Sequence, residues 1–261
     1  MKSMFRWSAA LGVAGSAIIG SCVIGTMQVL ALPQEQIVQK LGPVPVFTIT
    51  DAKGAPLVAS VPDGQNNGQN QEPKSIAGVF INQKDAQAFV EQLKTKNPEL
   101  AKSVRVVPVS LGEVYKLDQA NQSKPNALDF TYVPSKQQVD AALTLLRQNG
   151  QTQNQFNGTP LFVARAGKDE KGYLTVKQAN QQVIPFFFNK EELQNMLDRF
   201  KQKQPDLAST VQIQVVNLEG VLQTLQKSND QQLSQIMLVP PRESVEFVRS
   251  LQPAPAQNQQ R

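Results

Sequence analysis

The sequence predicts a mixed α/β fold, with helices packed on a mixed sheet. It is written as two tandem related β-β-β-α-β-α-β-α units that pair as a pseudo-two-fold symmetric monomer. Three observations predict this. Residues 80–114 match residues 187–221 without a gap, and twelve of those 35 positions are identical, among them Phe80/Phe187, Asn82/Asn189, Pro98/Pro205 and Leu111/Leu218. Runs of strand character alternate with helical apolar spacing in both halves, the pattern of a sheet with helices on it. The match also reaches outward, from Pro45-Val46-Phe47 to Pro160-Leu161-Phe162 and from Val133-Pro134 to Val239-Pro240.

Residues 1–31 are a leader. MKSMFRW carries two basic residues, and the following run to Ala31 has no charge, so a basic flank precedes an apolar segment ending in a small residue. A secretory signal peptide is the first reading. An uncleaved membrane anchor and a lipoprotein modified at Cys22 stay open beside it, and all three require export.

The first unit, 32–150, opens with a short amphipathic helix at 33–41. VPVFTI (44–49) and PLVASV (56–61) form a hairpin around the turn DAKG, and SIAGVFI (75–81) is a third strand. Between them, PDGQNNGQNQEP (62–73) is a low-complexity surface insertion found in this half alone. NQKDAQAFVEQLKTK then makes a helix with Asn82 as N-cap and Asp85 three residues on; Asn189 and Glu192 repeat the arrangement. Phe89, Val90 and Leu93 share its apolar face, as Met196, Leu197 and Phe200 do in the second copy. The connector NPELAKSV, recurring as QPDLASTV, stops the helix at its proline and leads into VRVVPV (104–109) or VQIQVV (211–216). A short helix follows, then a strand (ALDFTYV or QLSQIMLV) meeting Pro134 or Pro240, then a closing amphipathic helix. The second unit spans 151–252, and QPAPAQNQQR makes a disordered tail over 253–261.

Composition excludes most chemistry. There is no histidine, and the one cysteine lies in the leader, so no His-based triad, His zinc site, catalytic thiol or disulfide is expected. No phosphate-binding glycine motif is present. Without the leader the net charge falls from +5 to +3, since Lys2 and Arg6 leave with it; that mild excess is no nucleic-acid footprint. The acid pair Glu191-Glu192 opens a helix, where carboxylates oppose the dipole, and Asp169-Glu170 lies in a turn. The chain is therefore expected to be no enzyme and to hold no cofactor or metal.

The run VIPFFFNKEEL stands out, because three consecutive phenylalanines in a strand point to both faces of a sheet. They read either as a strand buried on both sides or as one wall of an apolar groove for extended polypeptide. Pro185 weighs against a fully central strand, since it cannot donate to a ladder. On the groove reading the candidate site comprises Phe186, Phe187 and Phe188, with Phe80 in the first copy and Tyr115 and Tyr132 at the rim.

The segments LGPVPVFTITDAKGAPLV, VFINQKDAQAFVEQLKTKNPELAKSVRVVPVSLGEVYKL and VIPFFFNKEELQNMLDRFKQKQPDLA resemble the Tic22-like family, over nearly all of residues 33–252. That family comprises a soluble intermembrane-space component of chloroplast protein import and its cyanobacterial relatives. The resemblance implies a pseudo-symmetric α/β protein with apolar grooves that escorts polypeptides. For a cyanobacterial member it implies a periplasmic factor that shields nascent outer-membrane proteins on their way to the Omp-type assembly β-barrel. It brings no catalytic residue. The alternative is a structural or small-ligand-binding envelope protein, which predicts an enclosed pocket and no protection of unfolded clients.

Overall fold

A computed structural model describes residues 32–61, 74–122, 124, 127–166, 172–205, 210–228 and 231–252; the leader 1–31, the insertion 62–73, the turn acids Asp169 and Glu170 and the tail 253–261 lie outside them. The fold is mixed α/β. In order, the first half comprises α1 (Gln34–Leu41), β1 (Pro45–Asp51), β2 (Val58–Val61), β3 (Lys74–Phe80), α2 (Gln83–Lys96), α3 (Pro98–Ser103), β4 (Val104–Ser110), α4 (Leu111–Asn121), β5 (Leu128–Val133) and α5 (Lys136–Gln148). The second comprises β6 (Pro160–Ala166), β7 (Gly172–Tyr173), β8 (Val176–Gln178), β9 (Gln181–Phe187), α6 (Lys190–Lys203), β10 (Gln212–Asn217) and α7 (Leu218–Lys227). It closes with a 3-10 turn over Gln231–Gln235, β11 (Ile236–Val239) and α8 (Arg242–Ser250).

Local chemistry explains these elements and corrects three expectations. Asp51 and the left-handed Gly54 do make a turn, the Asp51 carboxylate accepting from the amides of Lys53 and Ala55 at 2.8 Å. The hairpin, however, ends after one bridge, Thr50↔Pro56, and β2 then runs beside β3 rather than β1. NPELAKSV is not a loop. Asn97 accepts from the amide of Leu100, Pro98 takes the first helical position, and the stretch forms α3. QLSQ is a 3-10 turn, so the last strand is only four residues long.

Two sheets result, with matching strand order. One runs β4–β1–β3–β5 with β2 also on β3, and the other runs β10–β6–β9–β11 with β7 on β6 and β8 on β9. β3–β5 and β9–β11 are parallel pairs and the rest antiparallel. The register agrees at equivalent positions: Phe47 faces Phe80 and Phe162 faces Phe187, while Pro45 faces Ser110 and Pro160 faces Asn217. Ser110 and Asn217 then cap the next helix, Ser110 Oγ accepting from Gly112 at 3.1 Å and Asn217 Oδ1 from Gly220 at 2.8 Å. Pro185 sits inside the second sheet without a broken ladder. It falls between the β8–β9 pairing, which ends at Val183, and the β6–β9 pair at Phe187, where no antiparallel bond is required of its nitrogen.

The compact units cut across the halves 32–150 and 151–252. Among the described residues, one unit joins those of 41–135 to 240–252, and the other joins 32–40 to those of 136–239. We call them the β1 unit and the β6 unit. Each therefore takes its last helix from the opposite half of the sequence. In the β1 unit, Phe47, Ile49, Phe80 and Ala86 form the core, and Phe247 of α8 packs on it with its ring 5.8 Å from that of Phe47. In the β6 unit, Ala142 and Leu145 of α5 join Phe162, Phe187, Leu193 and Phe200.

Polar contacts at the helix ends differ between the two units. On α8, Ser244 Oγ donates to the Ile81 carbonyl at 3.3 Å, and Glu243 pairs with Lys84 at 3.1 Å. On α5, the amides of Gln137 and Gln138 donate to the Glu191 carboxylate at 3.1 and 2.8 Å. Glu191 is the counterpart of Lys84 in the repeat, so α8 docked on its own half would bring Glu243 against Glu191. The exposed Lys84–Glu243 pair adds under about 1 kcal/mol, but the wrong pairing would set two like charges together.

A chain ending at Val239 is expected to lose hydrogen-exchange protection in β1, β3 and β4 while β6 and β9 keep theirs. Protection unchanged in both units would refute the role given to α8. Phe247→Ala should cost about 2 kcal/mol in urea unfolding, below a full core deletion because the ring is half-buried.

Candidate functional site

The six residues singled out in the sequence are divided between the two units. Phe187 is 4% exposed and belongs to the core of the β6 unit. Phe186 turns to the other face of β9, buried, with its ring 5.9 Å from that of Tyr173. Phe188 lies just past the strand, 1% exposed, its amide donating to the Val239 carbonyl at 3.2 Å. Phe80 is buried in the β1 unit, with its ring 5.6 Å from that of Phe89. Tyr115 is buried on α4, and Tyr132 is half-buried on β5 opposite Val79. As placed, Phe80, Phe186, Phe187, Phe188 and Tyr115 are interior residues rather than groove walls. The fully buried strand is the better reading of PFFF.

A cleft lies elsewhere in the β6 unit, between the C-terminal end of α5, one face of α6 and the start of β10, with a volume of about 410 Å³. Its apolar lining is Leu145, Leu197, Phe200, Val211 and Ile213. The α6 wall follows from helical spacing: Lys190, Gln194, Leu197, Asp198 and Lys201 fall on one stripe, while Leu193 and Phe200 turn inward to the core. Gln148, Asn149 and Gln212 complete the polar rim. Gln194 donates to Asp198 at 3.0 Å, which orders that side of the rim. The volume falls within the range of ligand and peptide sites, about 300–1,000 Å³.

Gln138 holds α5 against α6 at the head of this cleft. Asn189 occupies the N-cap position of α6, as the sequence indicates, but its side chain makes no cap bond. Asn189 Nδ2 donates instead to Glu192 at 3.3 Å. The cap comes from α5: Gln138, only 5% exposed, accepts from the Lys190 amide at 2.9 Å through Oε1 and donates to Glu191 through Nε2. Asn82 does cap α2, accepting from the Asp85 amide at 2.8 Å. Burial alone would raise the Glu191 carboxyl, but hydrogen bonds from Gln138, its own backbone amide and Gln137, together with nearby Lys190, outweigh it and hold the group below the usual glutamate value.

No group of three or more His, Cys, Asp or Glu side chains able to hold a metal occurs among the described residues. No helix among them is long and apolar enough to cross a membrane. The cleft offers charge, amides and apolar surface, which suits binding. No sequence signal marks it, because its two helical walls come from different halves of the chain. The one trace is the alternation of Lys190, Gln194, Leu197 and Lys201 along a helix.

Known proteins resemble this chain along most of its length. The model of the Tic22-like family matches residues 2–250. Protein TIC 22, chloroplastic, of Arabidopsis thaliana is 27% identical over 206 residues, covering 78% of this chain and 67% of that protein. Its namesake in Pisum sativum is 26% identical over 197 residues, covering 76% and 69%. Among solved structures, Anabaena Tic22, described as a protein-transport protein, is 39% identical with a TM-score of 0.73, covering 86% of this chain and 100% of that one. Tic22 from Plasmodium falciparum, 21% identical with a TM-score of 0.63 over 82% of this chain and 96% of that one, shares the fold.

A carboxyl whose folded pKa is depressed contributes stability above its unfolded value and loses it as pH falls through the folded one. Glu191→Gln should therefore be less stable than the wild type at neutral pH, and the gap should close as pH drops below 4.5, the ordinary value for glutamate. A gap that persists in acid, followed by urea titration across pH, would mean that the carboxylate charge is not what Gln138 and Gln137 hold.

Proposed function

Because the chain belongs to the Tic22-like family, we propose that it is a protein-transport factor of the periplasm that binds unfolded or nascent envelope polypeptides. On this reading it works without chemistry or cofactor. It shields apolar segments of outer-membrane proteins and passes them to the Omp-type assembly β-barrel, so assisting outer-membrane biogenesis. The observation that carries the reading is the cleft between α5, α6 and β10, where Leu145, Leu197, Phe200, Val211 and Ile213 lie among a larger share of polar surface. Such a surface can hold a short apolar segment while its polar rim keeps the free protein soluble, and weak binding of this kind permits release. The protein-transport description of Anabaena Tic22 supports it.

The volume of about 410 Å³ also suits a small ligand, which is the second reading. A photo-crosslinking residue decides between them. Placed at exposed Gln194 on the cleft rim, it is expected to capture outer-membrane proteins in living cells, whereas at the equivalent exposed Gln87 of α2 it captures few. Equal capture at both positions would remove the cleft from the proposal. No capture of polypeptide at either, with a small molecule retained by the purified protein, would favour the second reading.

A further inference from the structure

The two sheets end in equivalent edge strands, β4 and β10, and the two edges are not alike. Among the described residues, β4 pairs with β1 alone and β10 with β6 alone. The bonds just beyond each strand set the alternation: the Leu111 amide donates to Val44 O at 2.9 Å, and the Leu218 amide to Thr159 O at 2.8 Å. Counting back two residues at a time, 109, 107 and 105 bond inward on β4, and 216, 214 and 212 on β10. The outward backbone groups are then those of Val106, Pro108 and Ser110 on one edge and Ile213, Val215 and Asn217 on the other.

On β4 that outward set is largely closed. Pro108 has no amide, and the Ser110 amide donates to the Glu113 carboxylate at 3.4 Å. On β10, Val215 stands where Pro108 stands, and the outward amides of Ile213 and Val215 meet no acceptor among the described residues. Their side chains pack on the face that α5 and α6 cover, and Val211, Gln212 and Ile213 line the cleft on that face. A chain laid along β10 would therefore bring the side chain opposite Ile213 to the mouth of the cleft, since directly paired residues share a face.

Resting on the polypeptide-binding reading above, we propose that the client docks by adding a strand to the free edge of β10. The occupant is an extended polypeptide segment, apolar at alternate residues and polar between them, its apolar side chains on the face of Ile213 and Val215 and its polar ones on the face of Gln212 and Gln214. Its backbone meets the outward amides and carbonyls of Ile213 and Val215, and one apolar side chain enters the cleft. The same segment finds the β4 edge closed by Pro108. Recognition through backbone bonds accepts many sequences, provided the segment is extended.

The proline of the closed edge supplies the test. Val215→Pro copies Pro108 at a position whose nitrogen makes no bond within the sheet, so the ladder to β6 is left whole. The probe is a short fluorescein-labelled peptide alternating valine with threonine and glutamate, read by anisotropy with the whole protein. The wild type is expected to bind it and Val215→Pro to bind about tenfold more weakly, while Pro108→Val binds at least as well as the wild type. Hydrogen exchange guards against a folding artefact: the peptide should slow exchange at the amides of Ile213 and Val215 in the wild type. Unchanged affinity in Val215→Pro, or no added protection at those two amides, overturns strand addition even where Gln194 still crosslinks to clients. A wild type that binds neither this peptide nor an unfolded outer-membrane protein overturns the binding reading itself.

Discussion

The Phe247 ring on Phe47 and the Leu145 side chain beside Phe162 express one constraint: neither sheet can bury its helical face with its own half of the sequence. Each half supplies four main strands and one covering helix, and the second covering helix comes from the other half. Burying an aromatic or leucine side chain is worth roughly 1.5–3 kcal/mol, so a unit without its borrowed helix would expose the centre of its core. The chain must therefore complete both halves before either unit is finished. Non-local pairing of this kind is the slow part of folding.

The exchange is specified by polar groups as well as by packing. Apolar faces alone would let α5 and α8 trade places, since both are amphipathic helices. Gln138 against Glu191 and Lys190, and Glu243 with Ser244 against Lys84 and Ile81, make the two dockings chemically different. The Gln138 contact is the stronger discriminator. It is buried, and its loss would leave the Lys190 amide without its acceptor and the Glu191 carboxylate with one donor fewer. The cleft is a by-product of the same exchange: α5 reaches α6 only because it has left the half in which it was written, and its last turn then forms one wall.

Much of the fold was legible residue by residue. Strand runs ended where Pro134 and Pro240 stand, Asn82 capped the helix that follows it, and the mixed sheet followed from strands alternating with helices. The misses share a cause. Asn97 and Pro98 looked like a stop, yet an asparagine followed by proline is equally a helix start, and the chain used both properties. Asn189 had the right type and place for a cap, but Gln138 reached the Lys190 amide first. The phenylalanines 186–188 were visible as an exceptional run. Whether such a run lines a groove or fills a core depends on what covers each face, and here both faces are covered.

By itself, then, the sequence determined the class of the protein and its elements: an α/β chain without histidine, with a single cysteine at position 22, and recognisable as Tic22-like from its motifs. These follow from local propensity and composition, which each short window carries in full. Only the tertiary structure decided which helix covers which sheet, and with it the position of the cleft. It also decided which of two equivalent edges is open, because Pro108 and Val215 acquire that meaning only once register points their nitrogens away from the neighbouring strand. Facing and pairing are relations between distant residues, and a chain read one window at a time does not contain them.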